Sequence, residues 1–225
     1  MSGDVVLFDL DGCLVDSTEA ITTCLNETLV SLGLPARSPD SLRWMIGPPL
    51  ADGMEQLLAD SGAPANWRDE AIARYRARYR DVSLTHTRVV AGVPEMLDAL
   101  AATVAMAVVT SKPRVFAAPI LMALGLGDRF VAIHGPDVDG AAEAKPVTLG
   151  RALAELDAFT ATAMVGDRRH DVEAGRAHRL VTVGVTWGAG DRDELESAGA
   201  DVIVDEPTAL EVALAAISRV RSADR

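Results

Sequence analysis

Four short stretches of this chain carry side chains able to do polar chemistry together. Phe8-Asp9-Leu10-Asp11-Gly12 sets two carboxylates two residues apart after the apolar run Val5–Leu10, and Gly12 permits a sharp turn. Thr110-Ser111-Lys112-Pro113 follows the run Val104–Val109 and offers two hydroxyls. Gly166-Asp167-Arg168-Arg169-His170-Asp171 follows Thr162–Val165 and adds two more carboxylates. Lys145 stands before Pro146 at a helix start. Carboxylates brought this close repel one another, and a hard divalent cation is their usual neutraliser; an oxygen-only set suits Mg²⁺. Carboxylates, Mg²⁺ and small hydroxyls at strand and helix ends make a place for a phosphoryl group, because helix dipoles and free backbone N–H groups favour anions there. Lys145 is the candidate point charge for that phosphate.

Each stretch alone has a bland reading. Asp-Gly is a common turn, Thr-Ser caps helices, and Gly-Asp can be a plain strand-to-helix turn. Their joint occurrence, in order and each after an apolar run or at a helix start, carries the argument.

The elements that must position these residues follow from the apolar runs. Val5–Leu10, Val104–Val109, Thr162–Val165, Val181–Val185 and Val202–Val204 are continuously apolar, mostly Val-rich, and read as strands of a parallel sheet covered on both faces. Val93–Ala102, Val115–Leu124, Val147–Leu156 and Asp171–His178 read as helices between them. Strand alternating with helix predicts an α/β fold with a doubly wound parallel sheet, in which ligands bind beyond the carboxyl ends of the strands. From about Val15 to Arg88 no strand run appears, and helical patterning is broken at Gly33-Leu-Pro, Gly47-Pro-Pro and Ser61-Gly-Ala-Pro. The expected organisation is therefore a core of residues 1–14 and 89–225 with a helical insertion at 15–88. Within the insertion, Tyr75-Arg-Ala-Arg-Tyr-Arg interleaves aromatic and basic residues. Ile72, Tyr75 and Tyr79 share one helical stripe and Arg74 and Arg78 another, which predicts a packed face and a solvated face rather than a nucleic-acid surface. The tail Ser218–Arg225 is expected to fray.

Composition bounds the partners. With 225 residues, 49% hydrophobic and 24% charged, the chain is an ordinary globular protein with a buried core. Its 21 Lys+Arg against 33 Asp+Glu give a net charge of −12, which argues against wrapping nucleic acid or docking on an anionic membrane. Cys13 and Cys24 match neither a disulfide framework nor a zinc pattern, and reduced thiols are expected. The start has no basic n-region, and no apolar run approaches the roughly 18 residues that span a bilayer. A cytoplasmic protein is expected.

Phe-Asp-Leu-Asp-Gly, Thr-Ser-Lys-Pro, Lys145-Pro146 and Gly-Asp-Arg-Arg-His-Asp together resemble the four motifs of the haloacid dehalogenase superfamily, and the insertion is similar to that family's small helical cap. Ile46-Gly-Pro-Pro-Leu, Val93-Pro-Glu after Gly92, Asp137–Gly140 and Val185-Thr-Trp-Gly look like its phosphoglycolate phosphatase and bacterial 5′-nucleotidase branch. The resemblance implies that Asp9 is a nucleophile forming an aspartyl-phosphate and that Asp11 protonates the leaving alkoxide, then activates water. It implies Mg²⁺ held by Asp9, the backbone carbonyl of Asp11, Asp167 and, directly or through water, Asp171. Thr110 or Ser111, with Thr110 favoured as first after the strand, and Lys145 would hold the phosphoryl oxygens. The second aspartate argues against a dehalogenase. Arg168 and Arg169 read as solvated or paired with acidic neighbours. Arg43, Ile46, Gly47 and Pro48 are expected to face the leaving group, Arg43 pairing with a second anion, and Trp44 either stacks on a base or, preferably, packs in the cap. The expected substrate is a small phosphorylated metabolite, phosphoglycolate or a nucleoside 5′-monophosphate, acted on by a monomer or homodimer. Alternatives are a sugar phosphomutase with the same two aspartates, or a catalytically silent binding member.

Overall fold

In the strand β1 (Asp4–Phe8), Val5, Val6, Leu7 and Phe8 are all buried, so both faces of the strand are covered. The computed structural model describes residues 3–138 and 143–223; Asp139 and Gly140 of the Asp137–Gly140 motif, and Asp224 and Arg225 of the tail, lie outside them. β1 is central in a six-stranded parallel sheet with β4 (Ala105–Val109), β5 (Ala132–His134), β6 (Thr160–Gly166), β7 (Val181–Val185) and β8 (Val202–Val204), in the order β5-β4-β1-β6-β7-β8. The chain builds outward on one side of β1 and then returns to build on the other. That places the topological switch, and hence the ligand crevice, at the carboxyl end of β1, where Asp9 sits.

Alternate residues of each strand supply the two faces. Val6, Phe8, Met106, Val108, Val165 and Val183 pack with α4 (Val93–Ala101) and α9 (Pro207–Ala223). Val5, Leu7, Ala107, Val109 and Met164 pack with α6 (Lys145–Glu155) and α7 (Arg169–Ala177). α5 (Arg114–Ala123) and α8 (Arg192–Ala198) complete the flanks, the latter capped by Asp191, whose side chain accepts from Glu194 N. α9 continues through Ala223.

Between β1 and β4 lies a layer of three helices, α1 (Thr18–Ser31), α2 (Leu50–Asp60) and α3 (Arg68–His86), with a short 3₁₀ turn at Asp40–Met45. Ala20, Cys24, Leu25 and Leu29 of α1, Met54, Leu57 and Leu58 of α2, and Ala71, Tyr75, Tyr79 and Val82 of α3 form their own core. Phe116 and Ile120 of α5 join that core and fasten the layer to the sheet. Tyr75 and Tyr79 are buried and stacked, whereas Arg74 and Arg78 are exposed and paired with Glu70 and Glu27. One expectation needs correcting. The stretch from Val15 to Arg88 is not free of strand: β2 (Val15–Asp16) pairs antiparallel with β3 (Arg88–Val89), tying together the two ends of the inserted segment. Two residues each are too short to show a periodicity.

Candidate active site

β1 delivers Asp9 to the crevice, and the Asp9 N–H donates to Val165 O at 2.8 Å, locking the strand end to β6. Gly12 at φ +83° then reverses the chain, its N–H donating to Val15 O at 2.8 Å. A side chain there would be strained and would put a Cβ 2.6 Å from the Asp167 carboxyl carbon. The glycine lets the first turn close over the carboxylate delivered by β6.

Asp9, Asp167 and Asp171 offer carboxylate oxygens that all lie within 4.8 Å of one another, and all three residues are buried. Lys145, the first residue of α6, sets its ammonium 2.6 Å from Asp9 Oδ1 and in ion-pair contact with Asp171 Oδ1. Two further oxygens are held by backbone: Asp167 Oδ2 accepts from Ala189 N at 2.6 Å, and Asp171 Oδ2 accepts from Arg168 N at 3.0 Å. Asp167 Oδ1 is buried with no hydrogen-bond partner among the described residues.

One lysine does not offset three buried carboxylates. Burial pushes the Asp9 carboxyl up to about 7, against the pull of Lys145 and with help from Asp171. Burial, then Asp171 and Asp9, push Asp167 up to about 8. Burial works against the Lys145 charge, but Asp171 and Asp9 outweigh it and raise the ammonium above its ordinary value. An unpartnered buried carboxylate oxygen beside two others, in a set short of positive charge, fits a hard divalent cation such as Mg²⁺. Asp9, Asp167 and Asp171 are the side chains that would hold it.

The Asp11 side chain stands outside that trio. Its Oδ1 accepts from Ser17 Oγ at 2.5 Å and from Lys112 Nζ at 2.5 Å, and Oδ2 has no partner among the described residues. Thr110, after β4, anchors its N–H on His134 O at 3.0 Å, and its Oγ1 accepts from Lys112 N at 3.2 Å. Ser111 Oγ is buried and unpartnered. Thr110, Ser111 and Lys112 line one cavity with Asp9 and Asp11, and the helical layer roofs it with Met45, Gly47, Pro48, Tyr75, Arg76 and Tyr79.

Two of the four residues expected over the leaving group are elsewhere. Ile46 is buried in the helical core, and its carbonyl accepts from Arg168 Nη1. Arg43 is exposed, with Nη2 3.4 Å from Gly188 O. The 3₁₀ turn buries Leu42 and Met45, three residues apart on one side, which leaves Arg43 outward. Gly47 and Pro48 do line the cavity. Trp44 is half-buried against the helical core, and Arg168 pairs with Glu194 at 2.9 Å. Spacing gave no role to Lys112, Ser17, Tyr79 or the Gly188-Ala189 loop; except for Ser17, six residues from Asp11, their partners are distant in sequence.

The model of the haloacid dehalogenase-like hydrolases matches residues 6–185. The chain belongs to that family. A 5′-nucleotidase of Pseudomonas aeruginosa is 36% identical over 195 residues, covering 85% of this chain and 86% of the relative. The tyrosine-protein kinase PtkA of Mycobacterium tuberculosis is 34% identical over 209 residues, covering 92% and 70%. A phosphoglycolate phosphatase of Pectobacterium atrosepticum is 33% identical over 202 residues, covering 88% and 86%. Among solved structures, a phosphatase from Clostridium acetobutylicum, described as predicted, superposes with a TM-score of 0.86 at 31% identity, covering 95% of this chain and 99% of that one. The α/β family fold expected from the four motifs is thereby established.

Proposed function

We propose that this chain is a Mg²⁺-dependent phosphatase that hydrolyses a small phosphomonoester through an aspartyl-phosphate on Asp9. The observation that carries the reading is one cavity in which Asp9, Asp11, Thr110 and Ser111 meet, with Lys145 2.6 Å from Asp9 Oδ1. The bound cation would supply charge neutralisation for the carboxylates and the incoming phosphate. Asp9 attacks phosphorus in line, the bond from phosphorus to the ester oxygen breaks, and Asp11 gives the departing alkoxide a proton from Oδ2. Water then attacks the aspartyl-phosphate and loses its proton to Asp11, and the bond from phosphorus to Asp9 breaks to release inorganic phosphate. Lys145, the Thr110 hydroxyl and the Ser111 backbone N–H hold the equatorial oxygens, acting by fixed placement. The helical layer excludes water while the transfer proceeds.

Phosphoglycolate and nucleoside 5′-monophosphates are the candidate substrates, supported by the relatives that carry those names. Asp9→Asn is expected to abolish phosphate release from every ester in a panel of phosphoglycolate, nucleotides and sugar phosphates while leaving the fold intact. A purified Asp9→Asn protein that still turns over would sink the mechanism. The likeness to PtkA favours a second reading, phosphoryl transfer onto a tyrosine hydroxyl. ATP consumed with a matching gain of phosphotyrosine, and no phosphate freed from small esters, is the result that reading requires.

A further inference from the structure

Two cations line the cavity, one from each layer: Lys112 from the loop after β4 and Arg76 from α3. Lys112 is occupied, 2.5 Å from Asp11 Oδ1 and 2.6 Å from the Tyr79 hydroxyl. Arg76 is not. Its Nη1 donates to Val138 O at 2.7 Å, but its Nε is buried without an acceptor, and no carboxylate among the described residues pairs with it. Its neighbours on the outer stripe of α3 behave differently, Arg74 pairing with Glu70 and Arg78 with Glu27. In a chain of net charge −12, a guanidinium turned inward beside a cavity and without a paired carboxylate among the described residues lacks the partner such a group ordinarily finds. Beside it in the lining stands the second orphan, Ser111 Oγ, and both residues also line the groove that continues outward past Pro136 and Asp137. The cavity itself holds about 60 Å³. That is space for about four water molecules, and the groove beyond it is larger.

Resting on the phosphatase reading above, we infer that Arg76, assisted by Ser111 Oγ, binds a carboxylate carried by the substrate's leaving group, so that the enzyme selects small phosphorylated hydroxy acids over uncharged esters of the same size. A planar carboxylate suits the guanidinium fork and supplies the acceptor that Nε lacks. Arg43, the residue the sequence pointed to for this task, faces Gly188 instead.

The test compares 2-phosphoglycolate with ethyl phosphate, which is similar in size and lacks the carboxylate. Wild type should show kcat/KM higher for phosphoglycolate by about 10- to 100-fold, the worth of one charge-assisted contact. Arg76→Met should collapse that ratio, chiefly through KM for phosphoglycolate, and Arg76→Lys should recover part of it. A wild-type ratio near one, or a ratio that Arg76→Met leaves in place, overturns the inference; the wild-type ratio needs no variant and stands even if Arg76→Met does not fold. Hydrolysis of ethyl phosphate and p-nitrophenyl phosphate without the carboxylate preference defeats the inference and spares the phosphatase reading. Failure to release phosphate from all three esters defeats that reading and the inference with it.

Discussion

Lys112 Nζ stands 2.5 Å from Asp11 Oδ1, and the same nitrogen lies 2.6 Å from the Tyr79 hydroxyl, so one ammonium joins the proposed proton-transfer residue to the helical layer. Both side chains of the ion pair are under a tenth exposed, at 8% and 9%. Lys112→Met would leave the Asp11 charge buried without its counter-ion, at a cost of about 3–5 kcal/mol. It should lower Tm and reduce kcat on every ester, though by less than Asp11→Asn, which removes proton transfer worth roughly 10²–10⁴-fold. Tyr79→Phe keeps the ion pair and loses only a hydrogen bond worth about 1 kcal/mol. Its kcat should stay much closer to wild type, and equal losses in the two variants would contradict this ordering.

The buried trio predicts an unusual pH dependence of stability in the metal-free protein. Unfolded carboxyls titrate near about 4, whereas Asp9 and Asp167 are raised to about 7 and about 8 in the fold. Between those limits the folded state binds more protons than the unfolded state, so stability falls as pH rises from about 4 to about 8. The raised Lys145 keeps its proton throughout this window and adds no slope. Urea unfolding with EDTA should show the decline, Mg²⁺ should flatten it, and Asp167→Asn should make the metal-free slope shallower. Mg²⁺ binding should release protons and tighten with pH over the same range, as titration calorimetry in two buffers of different ionisation enthalpy will record.

Backbone approach, rather than side-chain chemistry, sets the Asp167 carboxylate. Ala189 N donates to its Oδ2, and a Cβ on Gly188 would lie 2.5 Å from its carboxyl carbon. Gly188→Ala must therefore displace either the loop or the carboxylate. Mg²⁺ affinity should fall by about 10-fold or more, the scale of disturbed outer-shell contacts, while phosphate release at saturating Mg²⁺ recovers in part. An unchanged Mg²⁺ dependence of activity would show that the loop does not set the carboxylate.

The sheet was legible where strands are buried on both faces, because Val5–Leu10 and Val104–Val109 leave no room for a polar face. β5 was not, since its three residues, Ala132–His134, form an edge pairing only with β4. The residues the four motifs single out were legible because each follows a strand or opens a helix, and the fold brings those ends to one crevice. What the sequence hid are contacts between layers. Lys112 was visible in its motif, but its partner Tyr79 lies 33 residues earlier on a helix whose inward stripe reads as ordinary core. Arg76 lies in a run whose other arginines are solvated, and only the roof over the cavity separates it from them.

Arg168 fastens that roof. Its Nε lies 2.9 Å from Glu194 Oε1 and its Nη1 donates to Ile46 O, while Gly47, at φ +102°, rests on its stem so closely that a Cβ there would lie 2.9 Å from Arg168 Cγ. The adjacent backbone N–H holds Asp171 Oδ2 and survives any side-chain change, so the carboxylate trio should be preserved in Arg168→Met. The variant loses charged hydrogen bonds worth about 1.5–3 kcal/mol each, and the loss falls on the contact between the Ile46-Gly47-Pro48 loop and the core. We expect a raised KM, little change in the Mg²⁺ dependence, and faster protease cleavage near Ile46 in the absence of substrate. Gly47→Ala should share the raised KM because it strains the same contact. An Arg168→Met protein with wild-type KM and wild-type resistance to proteolysis would mean that Arg168 does not seat the helical layer.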